Sequence, residues 1–250
     1  MHVLITELLD RADTGVSVKP FFCKTDSNRE IYVKPAGVLA ESLIAEWLGG
    51  RLAQLMNIPC PDIDTVDVLK QLSDANRNSD WSDFKPGIGF GSYYLGANFR
   101  DLQPSDLRHL NIVELSEAYL FDYWIKNEDR KMGPTAGNPN TLVHYNRNEF
   151  CLIDHDNAFD PEFSLNQFSQ LHIGRQGKEL WLLEATRQRW SEKAAVALTE
   201  LDNIWSELPE EWVYSNLDNP DKPRYTVTRY RNILELPFAD PESFWQPLIS

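Results

Sequence analysis

Hydrophobic and polar positions alternate in three short runs near the start of the chain, residues 2–8, 16–24 and 30–34, separated by Ala12-Asp13-Thr14-Gly15 and Thr25-Asp26-Ser27-Asn28. A period of two marks strands with one buried face, and Gly, Asn and Asp clusters mark turns, so the pattern predicts an antiparallel meander. After Pro35-Ala36-Gly37 the period changes. Leu39, Leu43, Trp47, Leu48, Leu52, Leu55 and Met56 recur at three- and four-residue spacing, which predicts a helix that stops at Pro59-Cys60-Pro61. Residues 63–69 read as a further strand. The Asn-, Ser-, Asp-, Gly- and Pro-rich residues 73–91 read as an exposed loop and candidate hinge, and 91–95 as a strand leading out of it. Ser105-Asp106 is placed to cap a short helix, and Ile112, Leu115, Tyr119, Leu120 and Tyr123 then form a helical stripe up to Trp124-Ile125. Residues 179–208 carry helix-forming runs, and Pro220, Pro223, Pro237, Pro241 and Pro247 punctuate the tail.

Chemistry concentrates in residues 121–159. Asp129 lies just past the helical stripe, Asn138 and Asn140 lie in a Gly/Pro-rich loop, and Asp154 ends the apolar run Phe150-Cys151-Leu152-Ile153. A hairpin made of Leu142-Val143, the turn Asn146-Arg147-Asn148 and that apolar run would return Asp154 to the neighbourhood of Asn138. An acid, an amide and a second acid converging in this way suit divalent cations on phosphate oxygens and a hydroxyl oriented for phosphoryl transfer. Lys34, closing Ile31-Tyr32-Val33-Lys34, is placed to reach phosphates. A carboxylate of the following helix, Glu41 or Glu46, is placed to hold it. Thr14-Gly15-Val16-Ser17 offers backbone N–H groups and hydroxyls as a phosphate cradle, although the chain has neither GxGxxG nor GxxxxGK[ST].

Composition removes several alternatives. The 250 residues carry 24 basic and 38 acidic side chains, net −14, which argues against direct nucleic-acid binding and against attraction to an anionic membrane. There is no apolar run long enough to span a bilayer and no signal-peptide pattern at the start, so a cytoplasmic location is expected. Cys23, Cys60 and Cys151 fit neither a disulfide framework nor a CxxC metal site and read as small hydrophobes, and the five histidines lack zinc-ligand spacing. The tryptophans of the last third, Trp181, Trp190, Trp205, Trp212 and Trp245, read as packing residues.

Taken together, Val33-Lys34-Pro35, Glu46-Trp47-Leu48 with Ile58-Pro59-Cys60-Pro61, the segment from Phe121 through Asn127-Glu128-Asp129-Arg130, Asn138-Pro139-Asn140, and Leu152-Ile153-Asp154-His155-Asp156-Asn157-Ala158-Phe159 resemble the HipA-like kinase family, distantly similar to phosphatidylinositol and protein kinases. The resemblance spans roughly residues 10–165. It implies a two-lobed, kinase-like α+β fold, with a β-rich N-terminal lobe over residues 1–95 and a helical C-terminal lobe over 96–250. It also implies an ATP- and Mg²⁺-dependent kinase with a Ser or Thr of a protein as the favoured acceptor, and an antitoxin-like protein as a possible regulatory partner. By the same resemblance Lys34 would contact the α/β-phosphates with Glu46 as its partner. Asp129 would be the catalytic acid, Asn138 and Asp154 would bind metal, Thr14, Gly15 and Ser17 would cover the phosphates, and Tyr94 and Leu95 would lie beside the adenine. The loop from Lys131 to Gly137 is longer than the family's usual spacing. That departure motivates a rival reading, a catalytically silent nucleotide-binding or interaction module of the same fold; a small-molecule kinase is a third reading.

Overall fold

In the computed structural model, which describes residues 2–12, 19–76, 81–133, 137–214 and 223–249, the alternating segments become β1 (Val3–Arg11), β2 (Phe21–Thr25), β3 (Glu30–Ala36), β4 (Ile63–Val68) and β5 (Lys85–Tyr93). They close into a barrel in the order β1-β2-β3-β5-β4, antiparallel except where β4 meets β1 in parallel. Ile5, Phe21, Cys23, Ile31, Val33, Val66, Val68, Phe84 and Tyr93 fill its interior. The first three strands form the expected meander, with Phe21 opposite Val33 and Cys23 opposite Ile31.

Within residues 73–91, of which 77–80 lie outside the described residues, the structure differs from the exposed loop read from the sequence. Helix α2 (Lys70–Ala75) enters this stretch, Ser73 is buried with its hydroxyl donating to the Phe84 carbonyl at 2.7 Å, and β5 begins at Lys85. The Gly- and Pro-rich composition reports close backbone approach instead of a loop. A Cβ on Gly89 would stand 2.5 Å from the Lys34 carbonyl oxygen, so β5 can cross β3 there only as glycine.

Helix α1 (Ala40–Leu55) follows the barrel's third strand and α3 (Ile112–Trp124) carries the second apolar stripe. Both end in the same device. Asn57 and Lys126 adopt left-handed φ of 57° and 54°; the following N–H groups, of Ile58 and Asn127, reach back to the Ala53 and Asp122 carbonyls at 2.9 and 2.8 Å. A small sheet of β6 (Phe99–Asp101), β7 (Thr141–His144) and β8 (Phe150–Leu152) contains the predicted hairpin, with Thr141 opposite Leu152.

The last third is helical: α4 (Leu165–Leu171), a 3₁₀ segment (Arg175–Leu182), α5 (Glu184–Thr199), α6 (Leu201–Ser206), α7 (Glu210–Val213), α8 (Val227–Leu234), α9 (Leu236–Ala239) and α10 (Pro241–Ile249). It forms one continuous apolar core with α1 and α3, and α5, α6 and α7 pack behind α1. Trp181, Trp190, Trp212 and Trp245 are buried in that core, and Trp205 packs against it. Pro237 and Pro241 sit at helix starts, where the missing N–H costs nothing, so they begin helices as well as end them. Among the described residues no helix is long and apolar enough to cross a membrane.

Candidate active site

Alternation along β3 sends Ile31 and Val33 into the barrel and turns Tyr32 and Lys34 toward a cleft. Lys34 is 5% exposed and its Nζ meets three carboxylates: Glu46 Oε1 of α1 at 2.7 Å, Asp154 Oδ1 just past β8 at 2.7 Å, and Asp156 Oδ2 at 2.8 Å. The second Glu46 oxygen accepts the His155 backbone N–H at 2.8 Å, which ties α1 to the segment bearing both aspartates. Asp154 takes a left-handed φ of 61°, a conformation that costs free energy and is held only by its surroundings. Of the two acids the helix offered, Glu46 is the one that meets Lys34; Glu41 pairs with Arg229.

With every group ionised, these three carboxylates and one ammonium would carry −2. Proton retention relieves that. Burial raises the Glu46 carboxyl to about 7 against the pull of Lys34, and burial likewise raises Asp156; for Asp154 burial is outweighed by Lys34 and its hydrogen bonds, and the carboxyl lies below its ordinary value. A group whose folded pKa is raised adds stability that is complete below its unfolded value and lost as pH climbs through the folded one. The stability difference between the wild type and Glu46→Gln should therefore shrink as pH rises from about 4.5 to about 7 in metal-free buffer. Denaturant unfolding of both proteins across that window measures it.

Asp129 follows α3. Its Oδ2 accepts from Asn140 Nδ2 at 3.0 Å and Asn157 Nδ2 at 3.2 Å, and Asn157 also donates to Asp156 Oδ1 at 2.8 Å. Burial raises the Asp129 carboxyl, with the two amide donors opposing. Arg130 explains the placement. Fully buried, its Nε donates to Asp122 Oδ2 at 2.7 Å, and its Nη1 donates to the carbonyls of Ile153, at 3.0 Å, and of Asn140. One guanidinium thus clasps the residue before Asp154 and the residue bonded to Asp129. His172 Nε2 donates to the same Asp122 oxygen at 2.8 Å, its tautomer set by Nδ1 accepting the Gly174 N–H at 2.9 Å, and Asn127 donates to the other at 3.0 Å.

Lys34, Glu46, Asp154 and Asn140 line a cleft of about 880 Å³. Tyr94 and Leu95 line it with Phe90, Ile63, Met132 and Leu152, an apolar surface suited to a planar base. Thr14, Gly15 and Ser17 lie outside the described residues; Ala12 and Pro20, on either side of them in the sequence, line the cleft, and the Ala12 N–H donates to the Pro20 carbonyl at 2.9 Å. Asn138 also lines the cleft, but its bond within the loop is made by its backbone carbonyl, which accepts the Lys131 N–H at 3.0 Å; of the two loop asparagines, the one that donates to Asp129 is Asn140.

Gly49 keeps α1 close to the site. A Cβ there would stand 2.7 Å from His155 Cβ, beside the residue whose N–H holds Glu46. Gly49→Ala should cost about 1–3 kcal/mol in denaturant unfolding, the range for overpacking a filled interior.

Asp156, Asn140 and Asn157 carry contacts the sequence reading did not assign. The available signals were short-range: Asn140 immediately precedes β7, and Asp156 repeats the acid two residues after Asp154.

The sequence profile described as HipA-like kinase matches residues 5–248. No curated protein sequence matches the chain. Among solved structures, the Golgi casein kinase is similar over 99% of this chain and 72% of its own, with 12% identity and a TM-score of 0.52. The same kinase with Mn/ADP bound is similar over 100% and 73%, with 12% identity and a TM-score of 0.53. At these identities the likeness establishes a shared kinase fold, and the profile match, which takes in the C-terminal helices as well as the motifs, establishes the kinship: the chain belongs to the HipA-like kinase family.

Proposed function

We propose that this protein is an ATP- and Mg²⁺-dependent kinase that transfers the γ-phosphoryl group to a hydroxyl, with Ser or Thr of a protein as the favoured acceptor. The observation that carries the reading is the meeting of Lys34 with Glu46 and Asp154 at 2.7 Å each, with Asp129 and Asn140 bonded together in the same segment clasp. The donor set fits the metal: carboxylate and amide oxygens are hard ligands of the kind Mg²⁺ and Mn²⁺ take, and a cationic ammonium already stands among the acids. Family kinship and the fold shared with a kinase that binds Mn/ADP support the same reading.

In this account Lys34 neutralises the α/β-phosphates and Glu46 aims it. Asp154 would hold the metal, joined by Asn140 in the role first given to Asn138, because the Asn140 amide group that bonds Asp129 leaves its oxygen as the second polar atom. A bound metal would neutralise charge on the phosphate oxygens. Asp129 orients the acceptor hydroxyl and takes its proton, Tyr94 and Leu95 hold the adenine, and the turn of Thr14, Gly15 and Ser17 covers the phosphates. Catalysis is then mostly positioning and charge neutralisation.

The acceptor is tested by incubating the protein with γ-labelled ATP, Mg²⁺ and a cell lysate, then hydrolysing the labelled protein. Label on phosphoserine or phosphothreonine is expected; label confined to small molecules would overturn the protein acceptor.

A further inference from the structure

Lys34 and Glu46 belong to different elements, β3 and α1, and their 2.7 Å contact survives only if strand and helix keep their distance. We propose that α6 and α7 form a brace that fixes this distance, so that the pair stands formed before any nucleotide arrives, and that Trp212 of α7 is a positioning residue for phosphoryl transfer. The proposal rests on the kinase reading above.

Each end of the brace is an indole. Trp212 is buried, and its Nε1 donates to the Ile88 carbonyl of β5 at 3.0 Å. Ile88 lies where the pairing of β5 with β3 shifts register, between Phe90 opposite Lys34 and Lys85 opposite Ala36, and it adjoins Gly89, which crosses the Lys34 carbonyl. At the other end Trp47 follows Glu46 in α1, and its buried Nε1 donates to the Ile204 carbonyl of α6 at 3.3 Å. The chain between these anchors is itself tied, the Leu208 N–H donating to the Trp205 carbonyl at 3.2 Å and the Trp212 N–H to the Pro209 carbonyl at 3.0 Å. The two helices thus reach from the residue beside Glu46 to the strand crossing beside Lys34.

The charges at the site call for a neutral restraint of this kind. Oxygens of Glu46, Asp154 and Asp156 lie within 4.8 Å of one another around one ammonium, so surplus negative charge pushes α1 away from the segment bearing the aspartates. An indole N–H bonded to a carbonyl holds whatever the protonation of those acids. Both indoles are buried, so breaking either bond strands a polar group away from water. The Arg51–Glu207 pair also joins α1 to the residue after α6, at 3.3 Å, but both side chains are exposed and it adds little. Transfer needs the lysine–glutamate pair in place, and a helix free to swing would leave it formed only part of the time.

The test compares Trp212→Phe, which keeps an aromatic ring and loses the N–H, with Trp190→Phe, the same change in α5 at a buried indole whose N–H has no partner. Hydrogen–deuterium exchange is read first, without nucleotide. In Trp212→Phe the amides of residues 31–36 and 43–48 should exchange about tenfold faster than in the wild type, while those of 141–152 stay unchanged. Trp190→Phe should show no such selective gain. Equal rates in Trp212→Phe and wild type, the same gain in all three segments, or the same selective gain in Trp190→Phe would overturn the brace. Steady-state transfer from Mg²⁺-ATP is read second. Trp212→Phe should lower kcat about tenfold with KM for ATP within about threefold, because a misplaced Lys34 is felt most in the transition state. An unchanged kcat would deny Trp212 its positioning role. A wild type that transfers no phosphoryl group would sink the kinase reading instead, and the exchange comparison would still decide the brace. Should Trp212→Phe fold poorly, Trp47→Phe breaks the other end: faster exchange limited to the same two segments supports the brace, and uniform exchange contradicts it.

Discussion

Asp129→Asn should lower phosphoryl transfer by about 10²- to 10⁴-fold, the usual contribution of a positioned acid–base group, while nucleotide affinity stays near the wild-type value. The asparagine keeps the size of the side chain and an oxygen able to accept from Asn140 and Asn157, so the loop stays in place and only the proton acceptor is lost. Steady-state transfer beside calorimetric nucleotide binding separates the two effects. The wild-type pH profile carries the sign. Because burial raises the Asp129 carboxyl and the base must be ionised, transfer should rise with pH through a value above that of an ordinary aspartate. Asp129→Asn should lose that limb.

The largest loss of stability is expected at Asp122. Asp122→Ala should cost about 3–5 kcal/mol in denaturant unfolding, since it leaves the Arg130 charge without its carboxylate at a site with no exposure. The group is well tuned: burial opposes ionisation, but Arg130 and the His172 hydrogen bond hold the Asp122 carboxyl far below the usual range, and burial keeps His172 neutral. Against the 5–15 kcal/mol that typically separates folded from unfolded domains, such a loss is severe. The function would suffer with the fold, because the same guanidinium clasps the Ile153 and Asn140 carbonyls. Removing Arg130 as well, in Asp122→Leu/Arg130→Met, should recover part of the loss; no recovery would mean that the unpaired charge is not its cause.

Periodicity made much of this fold legible. The period of two in residues 30–34 and the three- and four-residue spacing from Leu43 to Leu52 report burial directly, and they became β3 and α1. Composition misled in residues 73–91, because Gly89 answers a backbone contact with a distant strand that no local pattern records. In the site, Lys34, Asp129 and Asp154 were visible because each stands at the end of an element. Asn140 and Asp156 were not assigned: the first depends on a left-handed φ of 42° that turns it toward Asp129, and the second on the turn made at Asp154. The Asp122–His172 bond joins residues 50 apart, a relation that spacing alone does not reveal.

The central claim is that the Lys34–Glu46–Asp154 group and Asp129 act together on a nucleotide's γ-phosphate. Purified wild type and Asp129→Asn, each shown by calorimetry to bind Mg²⁺-ATP, should be incubated with γ-labelled ATP and a lysate acceptor pool. The account predicts label transferred by the wild type and nearly absent with the variant. Equal transfer by both, or none by a wild type that binds the nucleotide, would contradict it.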